Sequence, residues 1–85
     1  MKTTKILIVD DHEVVRDGLR NILTSLDNIS IAGEAGNGED AVKMYSSLKP
    51  DLVIMDISMP GMNGIEATRV IKEKDPDARI DRKST

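Results

Sequence analysis

The chain has no cysteine, tryptophan or phenylalanine, and Tyr45 is the one aromatic residue among its 85. Without cysteine there is no disulfide and no zinc–thiolate site, and a reducing compartment is the simple expectation. One aromatic ring cannot build a base-stacking platform. Long apolar runs are missing as well. No stretch approaches the roughly 20 apolar residues that a membrane span needs. Met1-Lys2-Thr3-Thr4-Lys5 leads into only four apolar residues before Asp10, which is not a secretory signal. A soluble, cytoplasmic chain is the default. Nor does one sign of charge dominate: twelve basic and fifteen acidic residues give a net charge of −3. That is too mild, and of the wrong sign, for direct nucleic-acid binding by this segment. The length allows one small domain, and its core must come from Leu, Ile, Val, Met and Ala.

What the chain does have is two short apolar runs that stop on aspartate. Ile6-Leu7-Ile8-Val9 is followed by Asp10 and Asp11, and Leu52-Val53-Ile54-Met55 by Asp56. Runs of this length bounded by turn residues read as buried parallel strands. If the two strands are neighbours, three carboxylates meet at one end of a sheet. Crowded carboxylates repel one another and need a cation or a proton to persist. A hard divalent ion suits them and points to phosphoryl chemistry.

The rest of the chain alternates strand and helix. Residues 5–10 read as the first strand. Val15, Leu19, Ile22, Leu23 and Leu26 form one stripe of an amphipathic helix over 13–26, which Asp27-Asn28 ends. Ile29-Ser30-Ile31-Ala32-Gly33 alternates as a strand at a sheet edge does. After the Gly36-Asn37-Gly38 turn, Asn37 and Asp40 resemble a capping box for a helix reaching about Leu48, with Ala41, Val42, Tyr45 and Leu48 inward. Lys49-Pro50 ends that helix. Residues 51–56 are the third strand. Met59-Pro60-Gly61 is a loop signal, and Asn63-Gly64-Ile65-Glu66 caps a third helix running to about Lys74. Such alternation implies α/β architecture: a parallel sheet with right-handed crossovers. With the first strand between the other two, the strand order reverses between the first and third, and ligands bind beyond the carboxyl ends of strands at such a point.

These residues resemble the receiver domain of bacterial response regulators. The likeness lies in Leu7-Ile8-Val9-Asp10-Asp11-His12, in Leu52-Val53-Ile54-Met55-Asp56 and in Met59-Pro60-Gly61-Met62-Asn63-Gly64. Residues Asp10 to Leu19 are especially similar to regulators carrying a C-terminal LuxR-type helix-turn-helix. The resemblance covers residues 4–80. It implies a flavodoxin-like (CheY-like) doubly wound sheet, here as strand-helix-strand-helix-strand-helix with sheet order 2-1-3. It also implies that Asp56 accepts a phosphoryl group from a phosphohistidine on a sensor histidine kinase. By the same resemblance Asp11 is a direct Mg2+ ligand, Asp10 a second acidic residue acting directly or through water, and Ser58 the donor of a backbone carbonyl to the metal.

The likeness fades near the C-terminus. The family continues with two further strands and two further helices, whereas here the fourth strand barely starts at Ala78-Arg79-Ile80. Residues 1–80 read as a partial receiver domain. Asp81-Arg82-Lys83-Ser84-Thr85 reads as a charged, non-family tail of appended origin that cannot be a buried strand. The family's switching hydroxyl, phosphate-pairing lysine and signalling aromatic match no residue here, and the DNA-binding domain through which such regulators act is absent. On this reading the third strand is an open, apolar edge. Such an edge invites pairing with another copy, so a homodimer or higher oligomer through that edge is expected.

Each residue also has a plainer reading. His12 reads as an exposed first-turn residue, and Glu13, Arg16 and Asp17 as a solvated helix face. Met55 reads as core, whereas Met59 and Met62 lie in a loop beside the site and partly exposed. Gly36, Gly38 and Asn63-Gly64 read as structural. Three functions compete. The first is a signalling module, not an enzyme, that accepts phosphate and retains slow self-phosphorylation from small donors, with impaired switching. The second is an excised or engineered half-domain that self-assembles without signalling. The third is an aspartyl-phosphate phosphatase, disfavoured because those enzymes tend to carry an acid two positions after the nucleophile, where this chain has Ser58.

Overall fold

A computed structural model describes residues 3–57, 59 and 63–83 of the chain. The elements follow in the order β1 (Thr4–Val9), α1 (Glu13–Thr24), β2 (Ile29–Ala35), α2 (Gly38–Leu48), β3 (Leu52–Asp56), α3 (Gly64–Lys74) and β4 (Ile80–Lys83). The strands form one parallel sheet in the order β2-β1-β3-β4. The order 2-1-3 expected from the sequence is therefore present, with a fourth strand added beside β3.

That fourth strand corrects the expectation of an open third-strand edge. β3 pairs on one side with β1 and on the other with β4, Val53 lying opposite Ile80 and Asp56 opposite Lys83. The Val53 N–H donates to the Arg79 carbonyl at 2.9 Å. The physical reason lies in what an edge strand needs. Ile80 packs against the core, while Asp81 and Arg82 are exposed. Charged side chains exclude a buried strand but suit an outer one, where they discourage further pairing. Association of copies through β3 thus loses its basis, because that edge is already covered.

The core follows from alternation along the strands. Leu7 and Val9 of β1 and Val53 and Met55 of β3 point to one face, where Ala41 of α2 and Ala67 and Ile71 of α3 close over them. Ala35, Met59 and Ala78 complete this cluster. Met59 is 3% exposed, which corrects its reading as a partly exposed loop residue. Met62 lies outside the described residues. Burying each of the larger side chains contributes about 1.5–3 kcal/mol, so this face carries most of the apolar stabilisation. Asn37 and Asn63 cap the two helices that cover it, accepting from the Asp40 N–H at 2.8 Å and the Glu66 N–H at 2.9 Å.

The opposite face holds Ile6 and Ile8 of β1 under α1. Here the amphipathic stripe is less buried than its periodicity predicts. No residue of α1 is buried, and Ile22 and the following Leu26 are more than half exposed. A stripe is buried only where something packs on it, and α1 leans mainly on β1 and β2. β2 also runs two residues further than expected, to Ala35. A register shift opposite Ile6 and Leu7 leaves Ala32 as an extra residue on β2, and the continued strand brings the Ala35 carbonyl to the Asp10 N–H at 3.0 Å. Among the described residues no helix is long and apolar enough to cross a membrane.

Candidate functional site

β1 and β3 are parallel neighbours with Val9 opposite Met55. The next step along each strand therefore sets Asp10 beside Asp56 at the carboxyl end of the sheet, where the strand order reverses. Both are fully buried, at 0% exposure. Asp11 follows on the turn into α1 with its side chain 28% exposed. Ligand-capable atoms of Asp10, Asp11, His12 and Asp56 all lie within 4.8 Å of one another. The three carboxylates singled out from the sequence are thus gathered by the fold. Ser58 lies outside the described residues, as do residues 60–62 of the loop that follows it.

His12 is more engaged than its sequence reading allowed. It is exposed, as expected, at 60% of its side chain. Yet its Nδ1 lies 3.0 Å from Asp10 Oδ1 and 2.9 Å from Asp11 Oδ1, and its backbone N–H donates to Asp10 Oδ1 at 2.9 Å. The hydrogen bond to Asp10, followed by the charge of Asp11, raises its pKa above the ordinary 6.5. When protonated, the imidazole sets a positive charge between two carboxylates. The sequence offers a hint: the residue just before the expected helix is His12, where Ser, Thr, Asp or Asn is usual, and in the structure its side chain makes no capping bond.

Arg16 also departs from its reading as a solvated residue. Its side chain is 20% exposed, and Nη1 donates to the Asp10 carbonyl at 2.6 Å. At the other end of the site, the first residue of α3, Gly64, is buried against the backbone of Asp56 and Ile57. The end of β3 is therefore held directly by the start of a helix.

The donor set decides what the cluster can hold. Three carboxylates offer hard oxygen donors, which suit Mg2+, Ca2+ or Mn2+ better than thiophilic metals. Oxygens on one Mg2+ lie at most about 4.2 Å apart, twice its usual bond length, so donor atoms within 4.8 Å of one another need little movement to share an ion. The residues present fit a small hard divalent cation. A surface depression of about 440 Å3 lined by Tyr45, Lys49, Pro50 and Lys74 lies away from this cluster, around the Lys49-Pro50 entry to β3, and has no part in it.

Comparison with known proteins points to one family and fold. A family model described as the response regulator receiver domain matches residues 6–81. Response regulator UvrY of Escherichia coli K12 is 51% identical over 75 residues, covering 88% of this chain and 34% of that protein. A LuxR-family two-component response regulator from Aurantimonas superposes with a TM-score of 0.93 at 38% identity, covering 98% of this chain and 59% of that one. CheY of Borrelia burgdorferi, solved in a complex with CheX, BeF3 and Mg2+, gives 0.92 at 36% identity, covering 98% and 63%. The chain spans about a third of the length of the curated relatives it matches.

Proposed function

Because the chain belongs to the response regulator receiver domain family, we propose that it is a phosphoacceptor module, a signalling domain rather than a classical enzyme. Asp56 is the acceptor. One of its carboxylate oxygens attacks the phosphorus of a phosphohistidine on a partner sensor kinase. The new O–P bond forms as the P–N bond breaks, and the departing imidazole keeps the electron pair and takes up a proton. Asp11 and Asp10, with the backbone carbonyl of Ser58, would hold Mg2+, which supplies positive charge against the transferring group. The observation that carries this reading is the convergence of Asp10, Asp11 and Asp56 at the ends of two adjoining strands.

The chain's own residues do the positioning. Burial of Asp10 and Asp56 removes competing water from their carboxylates, and Gly64 allows α3 to start against the Asp56 backbone. Such preorganisation matters for phosphoryl transfer, which depends on placement and charge more than on covalent help from the protein. Regulation of transcription, and any contact with DNA, belong in this reading to further segments of longer regulators such as UvrY.

The test is intact-protein mass spectrometry after incubation with Mg2+ and acetyl phosphate. One added phosphoryl group, absent from Asp56→Asn, is expected. Equal addition to both proteins, or none to either, would remove Asp56 from the role.

A further inference from the structure

Successive side chains of a strand point to opposite faces of its sheet. Asp10 still obeys β1, since its N–H serves the ladder by donating to the Ala35 carbonyl at 3.0 Å. Asp11 should then point away from it, yet donor atoms of both reach the same cluster. For two consecutive residues to deliver carboxylates to one point, the peptide between them must rotate out of the sheet. Its carbonyl then leaves the ladder and needs another donor. That carbonyl belongs to Asp10, and the donor is Arg16 Nη1 at 2.6 Å.

We propose that Arg16 is a positioning residue of the acidic site: by holding the Asp10 carbonyl it fixes the plane of the Asp10–Asp11 peptide, and with it the place of the Asp11 carboxylate beside those of Asp10 and Asp56. The inference rests on the reading of this cluster as a Mg2+ site.

The guanidinium is well braced for this task. Arg16 stands one turn into α1, where its own N–H donates to the His12 carbonyl at 3.1 Å. Its Nε lies 3.4 Å from Glu34 Oε1 near the end of β2, and a Cβ at Gly36 would lie 3.5 Å from Nη1. Arg16 thus joins the turn after β1 to the last residues of β2. A planar fork can address a carbonyl and a carboxylate at once, which a lysine ammonium does less well. The bond to the carbonyl is the shorter of the two, so the ion pair with Glu34 is the brace and the carbonyl the object. Arg20 supplies an internal control. It shares Glu34, at 2.7 Å, and its other ion pair is with Asp17 on the same helix, at 2.9 Å.

The experiment titrates the full chain with Mg2+ by calorimetry and records the Asp11 amide by NMR, because that nitrogen sits in the peptide plane at issue. Arg16→Met keeps the aliphatic stem and removes the donor. It is expected to lose roughly tenfold or more in Mg2+ affinity, the usual effect of removing a group that orients a metal ligand. It should also shift the metal-free Asp11 amide while the fold stays intact by circular dichroism. Arg16→Lys recovers only part of the affinity, because an ammonium can reach the carbonyl but serves it and Glu34 together less well, and Arg20→Ala leaves it unchanged. A folded Arg16→Met with wild-type affinity, or an equal loss in Arg20→Ala, overturns the proposal. A wild-type chain that binds no Mg2+ overturns the metal-site reading itself and the proposal with it, a result distinct from the first. If Arg16→Met does not fold, Arg16→Gln, too short to span the same distance, takes its place with the same outcomes.

Discussion

Gly64 lies so close to Asp56 that a Cβ built on it would stand 2.7 Å from the Asp56 carbonyl carbon and 2.6 Å from the Ile57 Cα. Two effects oppose each other in Gly64→Ala. Alanine favours a helix over glycine by about 1 kcal/mol. Overpacking against a well-filled site costs about 1–3 kcal/mol, and the atoms struck here are backbone, which no rotamer change can move aside. The clash wins. Urea denaturation of Gly64→Ala should show a net loss of up to about 2 kcal/mol, together with weaker phosphoryl uptake at Asp56. A variant as stable as the wild type would mean that α3 does not bear on the end of β3.

The imidazole of His12 carries the sign of its environment. Its pKa is raised by the hydrogen bond to Asp10 and then by the charge of Asp11. The folded state therefore binds this proton more tightly than the unfolded chain. That stabilisation is fully present below pH 6.5 and is lost as pH rises through the higher folded value. In the metal-free protein the ring should titrate above 6.5 by NMR. Saturating Mg2+ should lower that value, because a second cation beside the same carboxylates repels the proton. A metal-free His12 titrating at or below 6.5 would contradict the contacts to Asp10 and Asp11.

Tyr45 ties α2 to the end of α3 through its hydroxyl, which donates to Asp75 Oδ2 at 2.7 Å. Burial first, then the hydrogen bond and the charge of Asp75, push its pKa up to about 12. Neutral tyrosine is thus the form that the fold favours. Its contribution is present below the ordinary value of 10 and is lost as pH rises through about 12. Tyr45→Phe should cost about 0.5–1 kcal/mol at pH 7, the net worth of one part-exposed hydrogen bond. It should also flatten the fall in stability between about pH 10 and pH 12. An unchanged alkaline slope would locate the loss elsewhere.

Parts of this molecule are legible in its residues for clear reasons. Ile6-Leu7-Ile8-Val9 and Leu52-Val53-Ile54-Met55 are apolar on both faces because they are central in the sheet, and their ends place Asp10 and Asp56 without further information. Asn37 and Asn63 announce their helices by capping chemistry. Three features escape the same reading. The exposure of Ile22 and Leu26 depends on what packs beside α1, which periodicity does not record. The engagement of His12 and Arg16 depends on where the Asp10 carboxylate and carbonyl come to lie, which no residue pattern encodes. The strand at Ile80–Lys83 is hidden because one apolar residue among three charges looks like a tail, although that composition is also what an exposed edge requires.

That edge yields the last prediction. Ile80 is the apolar anchor of β4, sitting opposite Val53 and packed on the core, whereas Asp81 and Arg82 face water. Ile80→Asp removes a half-buried side chain worth about 1–2 kcal/mol and sets a charge against Val53. β4 should detach, leaving the second edge of β3 open along Val53, Ile54 and Met55. An apolar strand with unpaired N–H and C=O groups recruits another chain. Hydrogen exchange at residues 53–56 should therefore quicken in dilute Ile80→Asp, and sedimentation velocity should show self-association growing with concentration. Arg82→Asp, altered on the exposed part of the same strand, should leave both unchanged. If Ile80→Asp matches the wild type in both measurements, β4 is not what protects β3, and the cover of that edge must come from elsewhere.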